Sequence, residues 1–303
     1  MARQTLFFVK DLARALRLPF IAASALPFIF GSIAAGGRIN ILNFLLGLSA
    51  VTFTHLSANV INDYADSRSG ADWRDKKFFG FFGGSKLIQE GVFTEKFYLS
   101  LAIISGALSF SAVAALAFII KDIFPVVVFL AIIFLGWSYS MKPLKLSYRG
   151  LGEIIIFLLF GPALVMGGYF LQTGLFPDLK SFLLSLPFGF LTTAVLYANE
   201  VPDMPDDSKA GKFTWVSIFG SSRAYIFYRI LVACVFLCVI LNVTLGHLKP
   251  TAFFCFLLIP PLVKASEILK NYPEDKIKLM ESSKFTIASQ AAMSLILIII
   301  TVL

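Results

Sequence analysis

The chain has 303 residues, 58% of them hydrophobic, with a formal net charge of +8 and a mean hydropathy of +0.83. Soluble domains are about half apolar, so this composition, gathered into apolar blocks of bilayer length, excludes an ordinary soluble fold and reads as a polytopic membrane protein. Two histidines exclude a histidine-rich metal site, and the three cysteines, Cys234, Cys238 and Cys255, fall inside apolar blocks as small buried hydrophobes rather than disulfide partners.

The first 18 residues are basic and amphipathic and lead into a full-length apolar block without a small-residue cleavage site, so no cleavable signal peptide is expected. Nine blocks of spanning character follow, at roughly 18–36, 41–62, 97–120, 123–141, 151–174, 181–201, 224–246, 250–270 and 284–303. Backbone polar groups in hydrocarbon must be satisfied internally, and nothing alternates with the period of a barrel strand, so the blocks are expected to be helices. The chain reads as one transmembrane domain, 1–303, with an all-α fold.

The loops between these blocks sort by charge. With strict alternation of sides, all but four of the 26 basic residues fall on one side. The other side receives only Arg38, Lys121, Lys180 and Lys249. The positive-inside rule then places the amino terminus in the cytoplasm and the carboxyl terminus outside, in the cell membrane. The net charge is thereby explained without nucleic acid. The acids follow the same pattern, with only Asp122 and Asp178 on the poor side. Topology does not call for acids, so their accumulation needs another reason.

An internal repeat supplies one. Ala58-Asn59 is followed by Asn62-Asp63, then Asp66-Ser67-Arg68 and Gly70; Ala198-Asn199 is followed by Asp203, then Asp207-Ser208-Lys209 and Gly211. Each copy stands at the cytoplasmic end of a block, with loops 63–96 and 202–223 expected to carry the acids. Four spans separate the copies, which gives them one orientation and predicts two pseudo-symmetric halves. Asn59, Asp63 and Asp66 are spaced i, i+4, i+7, and Asn199, Asp203 and Asp207 i, i+4, i+8, so each trio shares one helix face. Pro202 and Pro205 predict a kink or unwinding in the second copy.

Two carboxylate clusters facing one cavity repel unless a cation lies between them. Carboxylate and amide oxygens select a hard cation, and magnesium is commonly held by one or two carboxylates with substrate phosphate. Basic residues near the acids, Arg68, Lys86, Lys142, Lys145, Arg149, Lys209 and Lys212, fit a polyanion. For Asp72, Asp75, Lys76 and Lys77 a solvated turn is an equal reading. Asn59 and Asn199 lie inside apolar helix ends, where polar residues are functional or bind helix to helix.

At these residues the sequence resembles the UbiA superfamily of intramembrane prenyltransferases. The resemblance rests on Asn62-Asp63-Tyr64-Ala65-Asp66 and on Asp203 with Asp207. It also rests on the segments Gly83-Gly84-Ser85-Lys86 through Gly91, Tyr139 through Lys145, and Tyr148 through Glu153. It covers nearly the whole chain and is most similar to the branch acting on 1,4-dihydroxy-2-naphthoate in menaquinone biosynthesis. Two positions depart from that branch: Glu200 stands where a second Asn is often seen, and Trp215 follows Thr214 in place of a smaller aliphatic. The resemblance implies nine helices ringed around a central cavity under cytoplasmic cap loops. It implies a polyprenyl diphosphate donor, a small aromatic or lipid acceptor, Mg²⁺ and release of pyrophosphate. Other acceptors of the superfamily are 4-hydroxybenzoate, a chlorin or haem, and geranylgeranylglyceryl phosphate.

On this reading Asp63, Asp66, Asp203 and Asp207, with Asn59 and Asn199, hold the metal. Asn59, Asn62, Arg68, Lys86, Lys142, Lys145, Arg149, Asn199, Lys209 and Lys212 face the diphosphate, and Tyr139 covers the allylic cation through its ring. Some of the 33 phenylalanines line a channel for the tail. His55 is either a helix contact or a group near the acceptor, Glu153 either a helix-end acid or an acceptor contact, and Asp72 a further acid beside the first motif. A secondary transporter is the rival from another class, but its site belongs near the bilayer midplane rather than at one face. An alcohol phosphatidyltransferase lacks its Asp-Gly-x-x-Ala-Arg motif here, and complete motifs argue against a non-catalytic scaffold.

Overall fold

A computed structural model describes residues 2–70, 73 and 77–303, with side chains from residue 8; Asp72, Asp75 and Lys76 lie outside the described residues. Among these residues the fold is all-helical, apart from one isolated bridge between Arg149 and Phe213. The helices are α1 Ala2–Ala15, α2 Ala22–Ala34, α3 Ile41–Ser69, α4 Glu95–Ile120, α5 Phe124–Ser138, α6 Gly152–Phe160, α7 Pro162–Thr173, α8 Leu179–Lys209, α9 Trp215–Phe219, α10 Ala224–Thr244, α11 Ile259–Asn271 and α12 Lys276–Val302. Short oxygen-bearing side chains start several of them: Asn40, Thr94, Asp178 and Asp275 each accept a backbone N–H of the first turn.

Among the described residues, seven helical segments are long and apolar enough to cross a membrane. The pair Phe8–Ala15 and Leu18–Ala34, bent by 40°, passes the same test when its two helices are taken together, and α5 is a shorter apolar helix. At about 1.5 Å per residue, α5 reaches only about 22 Å, less than a hydrocarbon core of about 30 Å. Each expected apolar block therefore coincides with helix, although by length not every block is a full crossing. The block at 151–174 is two helices, broken where Gly161 precedes Pro162. A β-carbon at Gly161 would lie 2.7 Å from Gly189 Cα, so the break lets α8 approach backbone to backbone.

The largest difference from expectation concerns the acids. Asp63, Asp66, Asp203 and Asp207 are not in loops: α3 continues through the first two to Ser69, and α8 through the last two to Lys209. Gly70, at φ 87°, closes α3 in the left-handed conformation. Nor do Pro202 and Pro205 unwind α8. Val201 and Pro202 are buried, Val201 in a core shared with Tyr228, Leu231 and Leu279, and packing holds the last turns where propensity alone does not.

The pairing of α3 with α4 is mirrored by that of α8 with α10, as the repeat predicts. Between α2, α3, α4, α5, α6 and α7 lies an apolar chamber of about 420 Å³. The tips of α3 and α8 converge beyond its end on a separate, polar pocket.

Candidate active site

The polar pocket has a volume of about 130 Å³. Its wall takes Asn62 and Asp66 from α3, and Asn199, Glu200, Asp203, Asp206 and Asp207 from α8. Lys77, Lys86, Lys212, Lys276 and Arg17 add positive charge, and Tyr139, Phe79, Phe81 and Phe82 add rings. Acids from both copies of the motif thus share one cavity with five cations. Such a site suits a polyanion bridged to carboxylates through a hard cation.

A loop stitches the two helix tips together. The Gly83 N–H donates to Asp203 Oδ2 at 2.9 Å, and the Ser85 N–H donates to Asp63 Oδ2 at 3.0 Å. Gly83 and Gly84 have φ of 73° and 75°, and Lys86 is also left-handed at 62°. Glycine adopts that conformation without the strain a side chain imposes, so successive N–H groups can turn toward carboxylates on two different helices. Lys86 follows directly, 4% exposed, with its side chain on the pocket wall.

Asp63 is held on both sides. Its Oδ1 is paired with Arg17, while Oδ2 takes the Ser85 N–H. It does not line the pocket. Asp66 and Asp207 instead meet around Lys212, whose Nζ is 3.2 Å from Asp207 Oδ2. Burial opposes the Lys212 ammonium, but the Asp207 and Asp66 carboxylates outweigh it and hold its pKa well above the ordinary lysine value. The Tyr148 hydroxyl donates to Asp66 Oδ1 at 3.2 Å and lies 2.7 Å from Ser69 Oγ. Burial first, then the Asp66 charge, pushes this phenol above its ordinary pKa, so it stays a donor.

Of the other residues singled out by sequence, Asn62 and Tyr139 line the pocket, and Asn62 donates to Ser140 Oγ. Asn199 lines it with a buried Oδ1 that has no hydrogen-bond partner. Asn59 is one helical turn farther into the membrane, with a buried Nδ2 that has no partner, and is not on the pocket wall. Arg68 turns to the Tyr64 hydroxyl at 2.9 Å, Lys145 lies 4.1 Å above the Tyr148 ring, and Arg149 donates to the Pro143 carbonyl at 3.3 Å. Lys142 and Lys209 are exposed. None of these five cations lines the pocket. Glu153 is fully buried and accepts the Trp215 N–H, fastening residues 213–215 rather than lining the pocket. His55 is on the wall of the apolar chamber.

Sequence reasoning missed Arg17, Asp206 and Lys276, the last two linked at 3.3 Å. Arg17 pairs with Asp63 46 residues away and Lys276 with Asp206 70 residues away, and no local spacing announces either. Lys77, for which the sequence allows a solvated turn equally, lines the pocket.

The donor set fits magnesium of the substrate-bridged kind. Among the described residues, no three acid, histidine or cysteine side chains are grouped as a ready cage. Magnesium needs none: one or two carboxylates, with waters and phosphate oxygens, complete its shell. Asp66, Asp203 and Asp207 with the unpartnered Asn199 Oδ1 supply oxygens of the right kind on one wall.

Residues 24–289 match the UbiA prenyltransferase family. UbiA prenyltransferase domain-containing protein 1 of Dictyostelium discoideum is 31% identical over 172 residues; the match covers 56% of this chain and 51% of that protein, so about half of that relative's length is spanned. The 1,4-dihydroxy-2-naphthoate octaprenyltransferase of Bacillus subtilis is 24% identical over 270 residues, covering 88% of this chain and 85% of that enzyme. Among solved structures, the apo form of a UbiA homologue from Aeropyrum pernix superposes with a TM-score of 0.72 at 15% identity, over 93% of this chain and 98% of that one. A UbiA homologue from Archaeoglobus fulgidus bound to GPP and Mg²⁺ gives 0.59 at 19% identity, over 95% and 99%. These likenesses place the helical arrangement with the UbiA fold. Together with the family match over most of the sequence, they set aside the transporter and phosphatidyltransferase readings: the chain belongs to the UbiA prenyltransferase family and is a multi-pass membrane prenyltransferase.

Proposed function

We propose that the chain, acting as one transmembrane domain over residues 1–303, transfers a prenyl group from an allylic polyprenyl diphosphate to 1,4-dihydroxy-2-naphthoate, with Mg²⁺ and release of pyrophosphate. The observation that carries this reading is the convergence of Asp66, Asp203 and Asp207, from two copies of one motif, on a pocket that also holds Lys86 and Lys212. The naphthoate acceptor is supported by the relative from Bacillus subtilis, matched over 85% of its length. The diphosphate and metal are supported by the Archaeoglobus homologue, which binds GPP and Mg²⁺. The cytoplasmic placement of the pocket, in the cell membrane with the carboxyl terminus outside, rests on the bias of basic residues.

Breaking the allylic C–O bond leaves negative charge on the departing diphosphate. Bound magnesium supplies Lewis-acid stabilisation of that charge. Lys86 and Lys212 neutralise further oxygens in a confined site, where oriented charge is most effective. Asp66, Asp203, Asp207 and Asn199 orient the diphosphate end, and Asn62 backs them from α3. Tyr139 presents its ring to the allylic carbon as it becomes cationic. The apolar chamber takes the parts of the substrates that water excludes. Asp63 serves differently, anchoring Arg17 and the Gly83–Lys86 turn.

The test is transfer by purified protein with Mg²⁺, allylic diphosphates of several lengths and a panel of acceptors, read by product mass. Prenylated naphthoate with stoichiometric pyrophosphate is the expected result. A product formed only on 4-hydroxybenzoate or on a glycerol-phosphate lipid overturns the acceptor, and pyrophosphate release without Mg²⁺ overturns the metal.

A further inference from the structure

The apolar chamber contains one feature that an isoprenoid tail does not explain. His55 is 8% exposed and stands on the chamber wall, and both of its ring nitrogens are buried without a hydrogen-bond partner. Its ring contact is edge-on to Phe160, with centroids 5.5 Å apart. The other polar side chains on that wall are engaged: Ser24 with the Ile21 carbonyl, Thr54 with Ser109. Native proteins leave few buried polar groups unpaired, because each such group forfeits the hydrogen bonds it made to water. A hydrocarbon tail relieves none of that cost. Water is a poor alternative, because a buried water needs several polar partners and this wall offers few.

The position of His55 adds a second constraint. His55 and Asn62 are seven residues apart on α3, nearly two turns and therefore on one face, separated by about 10 Å along the axis. Asn62 lines the polar pocket and His55 the chamber. On α5 and just beyond it, Leu135 and Gly136 line the chamber and Tyr139 the pocket. The two cavities are thus neighbours along two helices. The chamber's volume of about 420 Å³ falls within the range of about 300–1,000 Å³ usual for small-molecule sites.

We propose that His55 binds a ring oxygen of a hydroxylated aromatic acceptor, placing the ring in the upper chamber with its reactive carbon toward the diphosphate pocket. The proposal rests on the aromatic-acceptor reading above and deepens it, assigning the acceptor's oxygen to the chamber wall. A neutral imidazole offers one donor and one acceptor, which suits a hydroxyl or a carbonyl oxygen. His55 is thereby a specificity-determining contact rather than a group acting on the diphosphate.

Two measurements test this. In steady-state transfer with 1,4-dihydroxy-2-naphthoate, His55→Phe is expected to raise the acceptor KM about tenfold, the effect of losing one hydrogen bond of about 1.4 kcal/mol. The diphosphate KM stays within twofold, and His55→Gln, which keeps a donor and an acceptor, recovers most of the loss. Direct binding to the detergent-solubilised protein, without diphosphate, compares 1,4-dihydroxynaphthalene with naphthalene. Wild type is expected to prefer the hydroxylated ring and His55→Phe to lose that preference; His55→Leu repeats the comparison if the phenylalanine variant does not fold. An unchanged acceptor KM, a shift in diphosphate KM instead, or a hydroxyl preference that survives in the variants overturns the proposal. Naphthoate transfer by wild type tests the parent reading separately, because the binding comparison does not require turnover.

Discussion

At the tip of α3, Asp63 gives one carboxylate oxygen to Arg17 and the other to the Ser85 N–H, and it is withdrawn from the pocket. At the tip of α8 the corresponding Asp203 accepts the Gly83 N–H and still lines the pocket, beside Asn199, Asp206 and Asp207. Two copies of one motif have thus been put to different uses. The first copy contributes Asp66 and Asn62 to the cavity and spends its leading acid on architecture. The second copy presents Asn199 together with Glu200, Asp203, Asp206 and Asp207. Sequence symmetry between half-repeats gives the positions of equivalent side chains on equivalent helices, but the loop between α3 and α4 lies outside the repeated motif and reaches acids of both halves. That loop decides which acid remains available.

The largest effects sharpen this asymmetry. Asp207→Ala and Asp66→Ala are each expected to lower kcat about a thousandfold, the scale of losing one oriented group at a developing charge. Asp63→Asn keeps the Ser85 N–H contact and is expected to lose far less. Transfer assays in Mg²⁺ with all three variants decide the matter: equal losses would restore the symmetric picture in which all the acids hold metal.

A second effect acts on stability. Arg17→Met leaves Asp63 buried, 4% exposed at its side chain, without its cation. Breaking a buried pair from one side costs about 3 kcal/mol, measurable by denaturant titration in detergent. Combining it with Asp63→Asn is expected to return much of the loss, the signature of direct coupling. Additive losses would mean that Arg17 acts elsewhere, for example on the pocket it also lines. Smaller still is Tyr148→Phe, which removes a neutral donor from Asp66. A hydrogen bond of about 1 kcal/mol predicts roughly a fivefold drop in kcat with little change in stability.

Much of this architecture was legible in the sequence, for a physical reason. Apolar blocks of bilayer length admit few structures other than helices, and the repeated Asn and Asp positions mark the ends of α3 and α8. What escaped is equally specific. Residues 63–69 and 203–209 are polar enough to read as loop, yet tertiary packing of Val60, Ile61, Tyr64 and Val201 carries both helices onward. The break at Gly161 was hidden in an unbroken apolar run because Pro162 is compatible with the first turn of a helix. Arg17 was read as topology, since one arginine in a basic amphipathic helix does not disclose a carboxylate 46 residues away.

The same limit explains the basic residues. Seven cations near the motifs were grouped as phosphate ligands by proximity in sequence, but the fold separates them. Lys86 is buried with its side chain on the pocket wall, and Lys212 sits between Asp66 and Asp207, whereas Lys142, Arg149 and Lys209 are exposed and off the wall. Exposed charges are screened by water and salt, so their field in the pocket is expected to be weak. Alanine at Lys142, Arg149 or Lys209 is therefore expected to leave kcat and the diphosphate KM within twofold, while Lys86→Ala raises that KM by tenfold or more. The salt dependence separates the alternatives. If an exposed cation steers the diphosphate from solution, its removal lowers kcat/KM at low salt and not at high salt. If it binds the diphosphate in the site, the loss persists at both, and the division drawn between buried and exposed cations fails.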